Sequence, residues 1–340
     1  MNANNDQKDV QDKPAGRRRS CLGCLGRGAI GLLVFLAFLL AMGAVYEAVA
    51  SANDFKKYPM PGELIDMGGY RLHLHCTGER IAGQPTVILE AGAGSASPDW
   101  GLVQPEIAKA TRVCSYDRAG YAWSDPGPLP RTSDHLAEEL HRLLTVAGEE
   151  GPYVLVGHSF GGHIIRLFAH RYPQEVMGVV LVDARPEELA LRPAMNDFQL
   201  TFLAFMARCG FSRLFGKAML TAEFLENLPQ NYPWQFYFRP QTLETMRDED
   251  PLESDKQVLA SGNLGDLPLI VIVHGNPSMF APLPAEEALR AEADWQAAQK
   301  KLAASSSNSQ LIVAERSGHA IPFDRPDVVI NAIQVLSSAP

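Results

Sequence analysis

The chain has 340 residues, 46% of them hydrophobic and 20% charged, which is enough apolar material for one large domain or two small ones. Its net charge of −9, with no basic stripe after residue 60, argues against a nucleic-acid partner, because phosphate binding needs a basic surface.

The first predicted element is a membrane anchor at residues 29–50. Its apolar run, Ala29–Val45, contains no charge and is close to the shortest length that spans a bilayer. Basic residues precede the run, so the positive-inside rule places a tail of residues 1–28 in the cytoplasm and the rest of the chain outside. Two alternatives stay open: a signal peptide cleaved at Ala48–Ala50, which would release a secreted protein, and a buried core helix.

The five cysteines divide by position along the chain. Cys21 and Cys24 precede the apolar run, where acylation is an option. Their C-x-x-C spacing is a weak sign of metal binding, because no second pair follows. Cys76, Cys114 and Cys209 lie in the part predicted to be exported, and their odd number allows one disulfide at most. We predict no metal ion and no cofactor.

Strand and helix patterns alternate after a linker at residues 51–61. A hairpin turning at Gly68-Gly69 comes first, and short apolar runs of β-branched residues follow, typical of strands buried on both faces. Between two of these runs, a helix beginning near Ser133 places its leucines on one side. The alternation predicts a mainly parallel sheet with helices on both faces, built from residues 62–184 and 263–340.

The alternation breaks at residues 185–262, which are apolar, aromatic and helical in pattern with no strand signal. We interpret this segment as a helical cap inserted over the sheet. Its aromatic side chains, and one in the core, are expected to pack in the interior rather than bind a cofactor, with a subset lining the substrate pocket: Trp100, Phe198, Phe202, Phe205, Trp234, Phe236 and Tyr237.

The strongest chemical signal is the stretch VLVGHSFGGH, residues 154–163. A serine between glycines, with a strand before it and a helix after it, is typical of a nucleophile elbow. The turn is so tight that Gly157 and Gly161 must lack side chains, and it holds the hydroxyl of Ser159 at the carboxyl end of the sheet. The next helix directs its N-terminal amides to the same place, where they would stabilise an oxyanion.

A serine needs a base to become nucleophilic, and His319 is the candidate among nine histidines. It follows the last predicted strand, in a loop from which it can reach the elbow. His158 adjoins the serine but should point to the other side of the turn. His163 and His170 lie on the elbow helix, where they are expected to cover the sheet or face solvent.

With these motifs in order, the segment Gly62–Val335 resembles the α/β-hydrolase superfamily. The resemblance rests on GHSFGG, YDRAGYAWSD, LEAGAG and SGHAIPFDRPDVV. It implies an α/β fold with an eight-stranded, mostly parallel sheet, helices on both faces and a helical cap. It also implies a triad in the order serine, acid, histidine, in which Ser159 and His319 match. Asp117 and Arg118 are then expected to organise their loop without performing chemistry.

The acid departs from the commonest pattern of the superfamily. The strand after the predicted cap continues as HGNPSMFAP, with no carboxylate before Pro284. The strand before the cap does end in an acid, and some members take their acid from there. Asp183 is therefore assigned to orient the imidazole of His319. Glu187 and Glu188 are the fallback, and a purely structural Asp183 is the alternative.

The resemblance also implies an oxyanion hole and places two cysteines together. One donor should be the backbone N–H of Phe160, and the other that of Gly92, with Ala93 one step away. Glu90 stands where the superfamily often has histidine, and its role stays open. Cys76 and Cys114 fall on strands that are antiparallel neighbours in this fold, which predicts a disulfide, with two separate buried thiols as the alternative.

The sequence therefore predicts an outward-facing, membrane-anchored serine hydrolase. It would cleave an ester or related acyl bond of a hydrophobic small molecule through an acyl-serine intermediate. A serine nucleophile argues against dehalogenase and epoxide-hydrolase chemistry. Amide, peptide or C–C bond hydrolysis and acyl transfer stay open on the same residues. A ligand-binding protein on a hydrolase scaffold is the non-enzymatic alternative.

Overall fold

The computed structural model describes residues 21–191, 195–220, 225, 228, 232 and 234–338. It begins with one long helix, α1 (Cys21–Lys57), the helix among the described residues that is long and apolar enough to cross a membrane. The helix continues through seven residues of the predicted linker, because the first helix-breaking residue after the apolar run is Pro59. Residues 1–20 of the predicted tail lie outside the described part.

The core is an eight-stranded sheet in the order β1-β2-β4-β3-β5-β6-β7-β8. Strands β1, β2 and β4 pair antiparallel, and all the other neighbours are parallel. The predicted fold class is therefore confirmed, including the hairpin at the start. The strands are β1 (Glu63–Asp66), β2 (Arg71–Thr77), β3 (Thr86–Glu90), β4 (Val113–Tyr116), β5 (Tyr153–His158), β6 (Val176–Val182), β7 (Leu269–His274) and β8 (Ser309–Ala314).

Helices cover both faces of the sheet, so the central strands are buried on each side, as their continuous apolar runs predict. One core contains leucines of α3 and Phe168 of α4, and the other contains Ile107 of α2 and Ile333 of α11. The remaining helices are α2 (Gln104–Ile107), α3 (Ser133–Ala147), α4 (Gly161–Arg171), α5 (Asp197–Arg208), α6 (Phe211–Phe215), α7 (Pro240–Asp248), α8 (Pro251–Ser261), α9 (Ala285–Ala303), α10 (Ile321–Asp324) and α11 (Pro326–Ser337).

The chain between β6 and β7 forms helices α5–α8 and short 3₁₀ turns, with no named strand among its described residues. This is the segment predicted as the cap. In α5, Leu200, Ala204 and Ala207 are buried and pack with Leu243 of α7. The expectation of interior packing holds for Trp100 and Phe236, which are 1% exposed.

That expectation is wrong for the three phenylalanines of α5. Phe198, Phe202 and Phe205 are 78%, 52% and 49% exposed. They lie on the side of α5 opposite its buried residues. Because α5 is apolar on both sides, its periodicity could not indicate which side faces the interior.

Cys76 of β2 and Cys114 of β4 lie directly opposite each other in the antiparallel pair and are joined by a disulfide. Cys209, at the end of α5, has a free thiol. The disulfide therefore links β2, in the antiparallel part of the sheet, to β4, which also pairs in parallel with β3.

Candidate active site

The turn between β5 and α4 holds Ser159 in the left-handed backbone region, at φ +51°. A Cβ at Gly157 would lie 2.8 Å from the carbonyl oxygen of Gly161, and one at Gly161 would lie 2.6 Å from that of Ala91. Both distances are shorter than any tolerated contact. The turn therefore needs glycine at both positions, and it presents the serine side chain at the carboxyl end of β5.

The structure brings Ser159, His319 and Asp183 together in one hydrogen-bonded chain. His319 Nε2 lies 3.0 Å from the Oγ of Ser159, and His319 Nδ1 lies 2.6 Å from Oδ2 of Asp183. Ser159 and Asp183 follow the adjacent parallel strands β5 and β6, so their side chains emerge at the same edge of the sheet. His319 reaches them from the loop after β8.

The two alternative carboxylates, Glu187 and Glu188, pair with other side chains and not with His319. Glu187 forms a two-point ion pair with Arg166, at 2.7 and 2.9 Å. Glu188 pairs with Lys301 at 2.7 Å. Among the acidic residues considered from the sequence, Asp183 is the one in contact with His319.

Asp183 is fully buried and accepts hydrogen bonds from several donors. Besides His319, they are Nδ1 of His274 at 2.8 Å, the backbone N–H of His274 at 3.2 Å and Nε1 of Trp295 at 3.0 Å. Burial alone would raise the pKa of this carboxyl. The hydrogen bonds from His274 and His319, and the positive charge of His274, outweigh it and hold the pKa of Asp183 well below its usual range. Asp183 is therefore an anion at every working pH.

His274 is the site residue that sequence reasoning missed. It is the last residue of β7, which pairs with β6, the strand directly before Asp183. Its imidazole lies between two carboxylates. Its Nδ1 bonds Asp183, and its Nε2 lies 3.0 Å from Oε2 of Glu292 on α9. Burial opposes the charged ring, but the bonds and charges of Asp183 and then Glu292 raise the pKa of His274 to about 9. At neutral pH His274 is thus a buried imidazolium.

The pKa of His274 predicts how the stability of the protein depends on pH. A folded-state pKa above the usual 6.5 adds stability that is complete below pH 6.5 and is lost as the pH rises through 9. Between pH 7 and 9.5, the free energy of unfolding should fall by about 2.4 kcal/mol through this group. In the variant His274→Gln this component of the slope should disappear.

Chemical denaturation at several pH values measures the effect, with His170→Gln as the control, because His170 is an exposed histidine of α4. The raised pKa values of Glu90, about 7, and Asp99, about 6, act mainly below this window. Parallel slopes for wild type and His274→Gln would show that His274 is neutral in the folded protein.

A cavity of 360 Å³ opens beside Ser159 and His319. Ala93 and Phe160 line it, and neither backbone amide donates to another group within the described residues. Gly92, the predicted donor, is not among the residues that line the cavity. A Cβ on Gly92 would lie 3.2 Å from that of Ser159, and the carbonyl of Gly92 accepts a bond from Arg118 at 2.8 Å. The placement favours the neighbouring Ala93 as the second donor.

His158 is placed differently from the expectation that it would point away from the site. Its ring packs against that of His319 with centroids 4.8 Å apart, and its Nε2 lies 2.9 Å from the carbonyl oxygen of His319. Burial lowers the pKa of His158 to about 4. The neutral ring of His158 therefore donates to the loop that carries His319.

Arg118, expected to organise its own loop after β4, instead contacts the loop after β3. Its buried guanidinium bonds Oε1 of Glu90 at 2.6 Å and Oε1 of Glu249 at 3.0 Å. It also donates to the carbonyls of Ala91 and Gly92, at 2.6 and 2.8 Å. Glu90 therefore has a structural role, because its carboxylate contacts Arg118 and it is not among the residues that line the cavity.

Comparison with known proteins agrees with this architecture. Residues 87–332 match the profile of the alpha/beta hydrolase family. The chain therefore belongs to that family. It is 28% identical to the uncharacterized protein YqjL of Bacillus subtilis over 249 residues, 73% of this chain and 81% of that protein.

A second relative is much longer than the region it shares. The probable transporter efuK of Hormonema carpetanum is 37% identical over 145 residues, 41% of this chain, and the match spans only 21% of that protein. Two solved structures share the fold. The epoxide hydrolase CorEH has a TM-score of 0.60 and 16% sequence identity, and the match covers 81% of this chain and 97% of that one. A thermophilic esterase from Thermogutta terrifontis has a TM-score of 0.57 and 22% sequence identity, and the match covers 81% of this chain and 99% of that one.

Proposed function

We propose that the protein is a serine hydrolase that cleaves an ester or related acyl bond through an acyl-serine intermediate. The observation that carries this proposal is the continuous chain of hydrogen bonds from Ser159 through His319 to Asp183. Each member has the chemistry that its role needs: a hydroxyl, an imidazole and a permanently charged carboxylate.

In this mechanism, Ser159 Oγ attacks the substrate carbonyl carbon while Nε2 of His319 takes its proton. The carbonyl π electrons move to oxygen, and the amides of Phe160 and Ala93 would bind the resulting oxyanion. When the tetrahedral intermediate collapses, His319 gives its proton to the leaving alcohol, and the acyl group stays on Ser159. A water molecule, deprotonated by His319, then releases the acid and restores the hydroxyl.

The lining of the cavity supports a hydrophobic substrate. Around Ser159 it is mainly apolar, formed by Leu191, Met195, Leu200, Met246, Met279 and Trp295. Burying the apolar part of an ester against these side chains removes it from water, which favours binding by about 0.8 kcal/mol per methylene group. Activity should therefore rise with acyl chain length until the cavity is full.

We also propose that α1 anchors the protein in a membrane as a single pass, with its N-terminus in the cytoplasm and the hydrolase domain outside. Lys13, Arg17, Arg18, Arg19 and Arg27 precede the apolar run and support this orientation. The disulfide between Cys76 and Cys114 supports an oxidising location for the domain.

Active-site labelling tests the proposed chemistry. The full-length chain in detergent should react with a fluorophosphonate probe and hydrolyse p-nitrophenyl esters, with a preference for chains longer than acetate. Ser159→Ala should lose the label and at least about 10³-fold in kcat. A matched control is Ser305→Ala, since Ser305 is a buried serine before β8, at the opposite edge of the sheet from Ser159. Equal labelling of wild type and Ser159→Ala would refute the proposal, and a folded protein that neither reacts nor hydrolyses would indicate a binding protein.

A further inference from the structure

The inserted helices carry an exposed apolar surface that the proposed reaction does not use. It comprises Phe198, Phe202 and Phe205 of α5, Leu214 and Phe215 of α6, and Met219 of the following turn, and we call it the apolar cap surface. The exposed fractions of its last three side chains are 70%, 61% and 65%. Soluble proteins rarely expose so many large apolar side chains on consecutive elements without a partner to cover them.

The apolar cap surface is attached to the end of the apolar run in α1. Gly43 of α1 packs against the backbone between α5 and α6: a Cβ at Gly43 would overlap the carbonyl of Cys209, and one at Gly210 would lie 3.2 Å from the carbonyl oxygen of Gly43. Glycine at both positions allows this close approach of the two backbones. Gly43 belongs to the last turn of the charge-free run Ala29–Val45.

Buried ion pairs fix this junction. Nε of Arg213, between the exposed side chains of α6, lies 2.6 Å from Oε2 of Glu47, and its Nη2 lies 2.8 Å from Oδ2 of Asp54. All three side chains are largely shielded from solvent. The cluster holds α6 against the part of α1 that directly follows the apolar run, so α6 cannot rotate freely about the anchor.

The geometry of α1 gives the depth of this surface. At 1.5 Å per residue, the run Ala29–Val45 is about 25 Å long, which nearly fills the hydrocarbon layer of a bilayer. Gly43 then lies near the outer boundary of that layer, and the ion pairs at Glu47 and Asp54 lie about 6 to 17 Å beyond Gly43. The apolar cap surface, attached along this stretch, falls at the level of the lipid headgroups. Lys217, exposed beside Met219, suits contact with phosphates there.

We infer that the apolar cap surface is embedded in the outer interfacial layer of the same bilayer that α1 crosses. The inference rests on the proposed anchor and is independent of the proposed chemistry. A bilayer is the partner that fits because the backbone joining α5 to α6 packs against Gly43, at the end of the apolar run that would face lipid. Helix α5 then separates the membrane from the cavity, since its Leu200 lines the cavity while Phe198 and Phe202 face outward.

Depth-dependent fluorescence quenching tests the inference in the full-length chain, placed in phosphatidylcholine nanodiscs. Cys21, Cys24 and Cys209 are replaced by serine, the disulfide is kept, and a bimane label is attached to one new cysteine per variant. Phe215→Cys reports on the apolar cap surface. Phe35→Cys reports on the anchor, and Val335→Cys, on α11 and 60% exposed, is a matched apolar position remote from the inserted helices.

Lipids that carry a nitroxide near the headgroup should lower the fluorescence of the label at position 215 by at least about twofold. Lipids that carry the nitroxide deep in the acyl chain should quench the label at position 35. The label at position 335 should respond to neither. If position 215 behaves like position 335 while position 35 is quenched, the anchor proposal stands and the inference fails. If position 35 is not quenched, both fail. If the label at position 215 is shielded from water but not quenched by the lipid nitroxides, and each nanodisc holds two chains, a second copy of the chain is the partner. That result would also overturn the inference.

Discussion

Replacement of Asp183 by asparagine should lower kcat by about 10⁴-fold while the protein stays folded. The carboxylate accepts the Nδ1–H of His319, which leaves Nε2 free to take the proton of Ser159. An amide group offers an N–H at the same place, which favours the opposite tautomer of His319. It also removes the negative charge that stabilises the imidazolium in the transition state.

The controls for this variant are Glu187→Gln and Glu188→Gln, which should keep kcat within about twofold, because neither carboxylate contacts His319: Glu187 pairs with the largely buried Arg166, and Glu188 pairs with the exposed Lys301. Circular dichroism and thermal melting establish that Asp183→Asn is folded. The assignment would be wrong if folded Asp183→Asn retained more than about a tenth of wild-type kcat, or if Glu187→Gln were the variant that lost activity.

The order of strands and helices was predictable because each central strand is a continuous apolar run that ends at glycine, proline or a polar residue. The serine and histidine of the site were predictable for a related reason. Gly157 and Gly161 are required by the tight turn itself, and a histidine in the loop after β8 must lie at the carboxyl edge of a parallel sheet. These features are local in sequence, or follow from strand direction alone.

The role of His274 could not be predicted in the same way, because it depends on three elements that are distant in sequence. β6 and β7 must be neighbours for His274 to reach Asp183, and α9 must cross β7 for Glu292 to reach the other nitrogen. One signal was present: the strand that carries the acid in much of the superfamily ends here in histidine. A buried histidine beside a relocated acid could have been proposed from that exchange.

Two further differences arose where the local pattern allowed more than one placement. Alignment of the loop after β3 by its strand end selects Gly92 as a donor, whereas Ala93, one residue further on, is the one that lines the cavity beside Ser159. The phenylalanines of α5 were expected inside because aromatic residues usually are. The helix has apolar residues on both sides, and only tertiary packing decides which side is covered.

Replacement of Arg118 by methionine should lower the free energy of unfolding by about 3 to 5 kcal/mol. The substitution leaves Glu90 and Glu249, which are 0% and 6% exposed, without their shared cation. It also leaves the carbonyl of Ala91 without its side-chain donor, and it leaves the carbonyl of Gly92 with the backbone N–H of Ser95 alone. Because these carbonyls fix the loop that carries Ala93, activity should fall even at temperatures where the variant is folded.

A surface ion pair provides the control for Arg118→Met. Arg71 pairs with Asp125 at 2.8 Å, but its side chain is 54% exposed, so Arg71→Met should cost much less stability than Arg118→Met. Urea denaturation of the two variants measures the difference. Similar losses for both would mean that the buried carboxylates find another source of stabilisation.

The destabilisation by Arg118→Met should also depend on pH, which separates a lost charge pair from lost packing. Burial raises the pKa of Glu90 to about 7 in spite of the opposing effect of Arg118, so without that cation the pKa should rise further. A folded-state pKa above the unfolded value means that stability is lost as the pH rises through it. The loss caused by Arg118→Met should therefore be smaller at pH 6 than at pH 8. The double variant Arg118→Met with Glu90→Gln should remove most of that dependence, because glutamine cannot become charged.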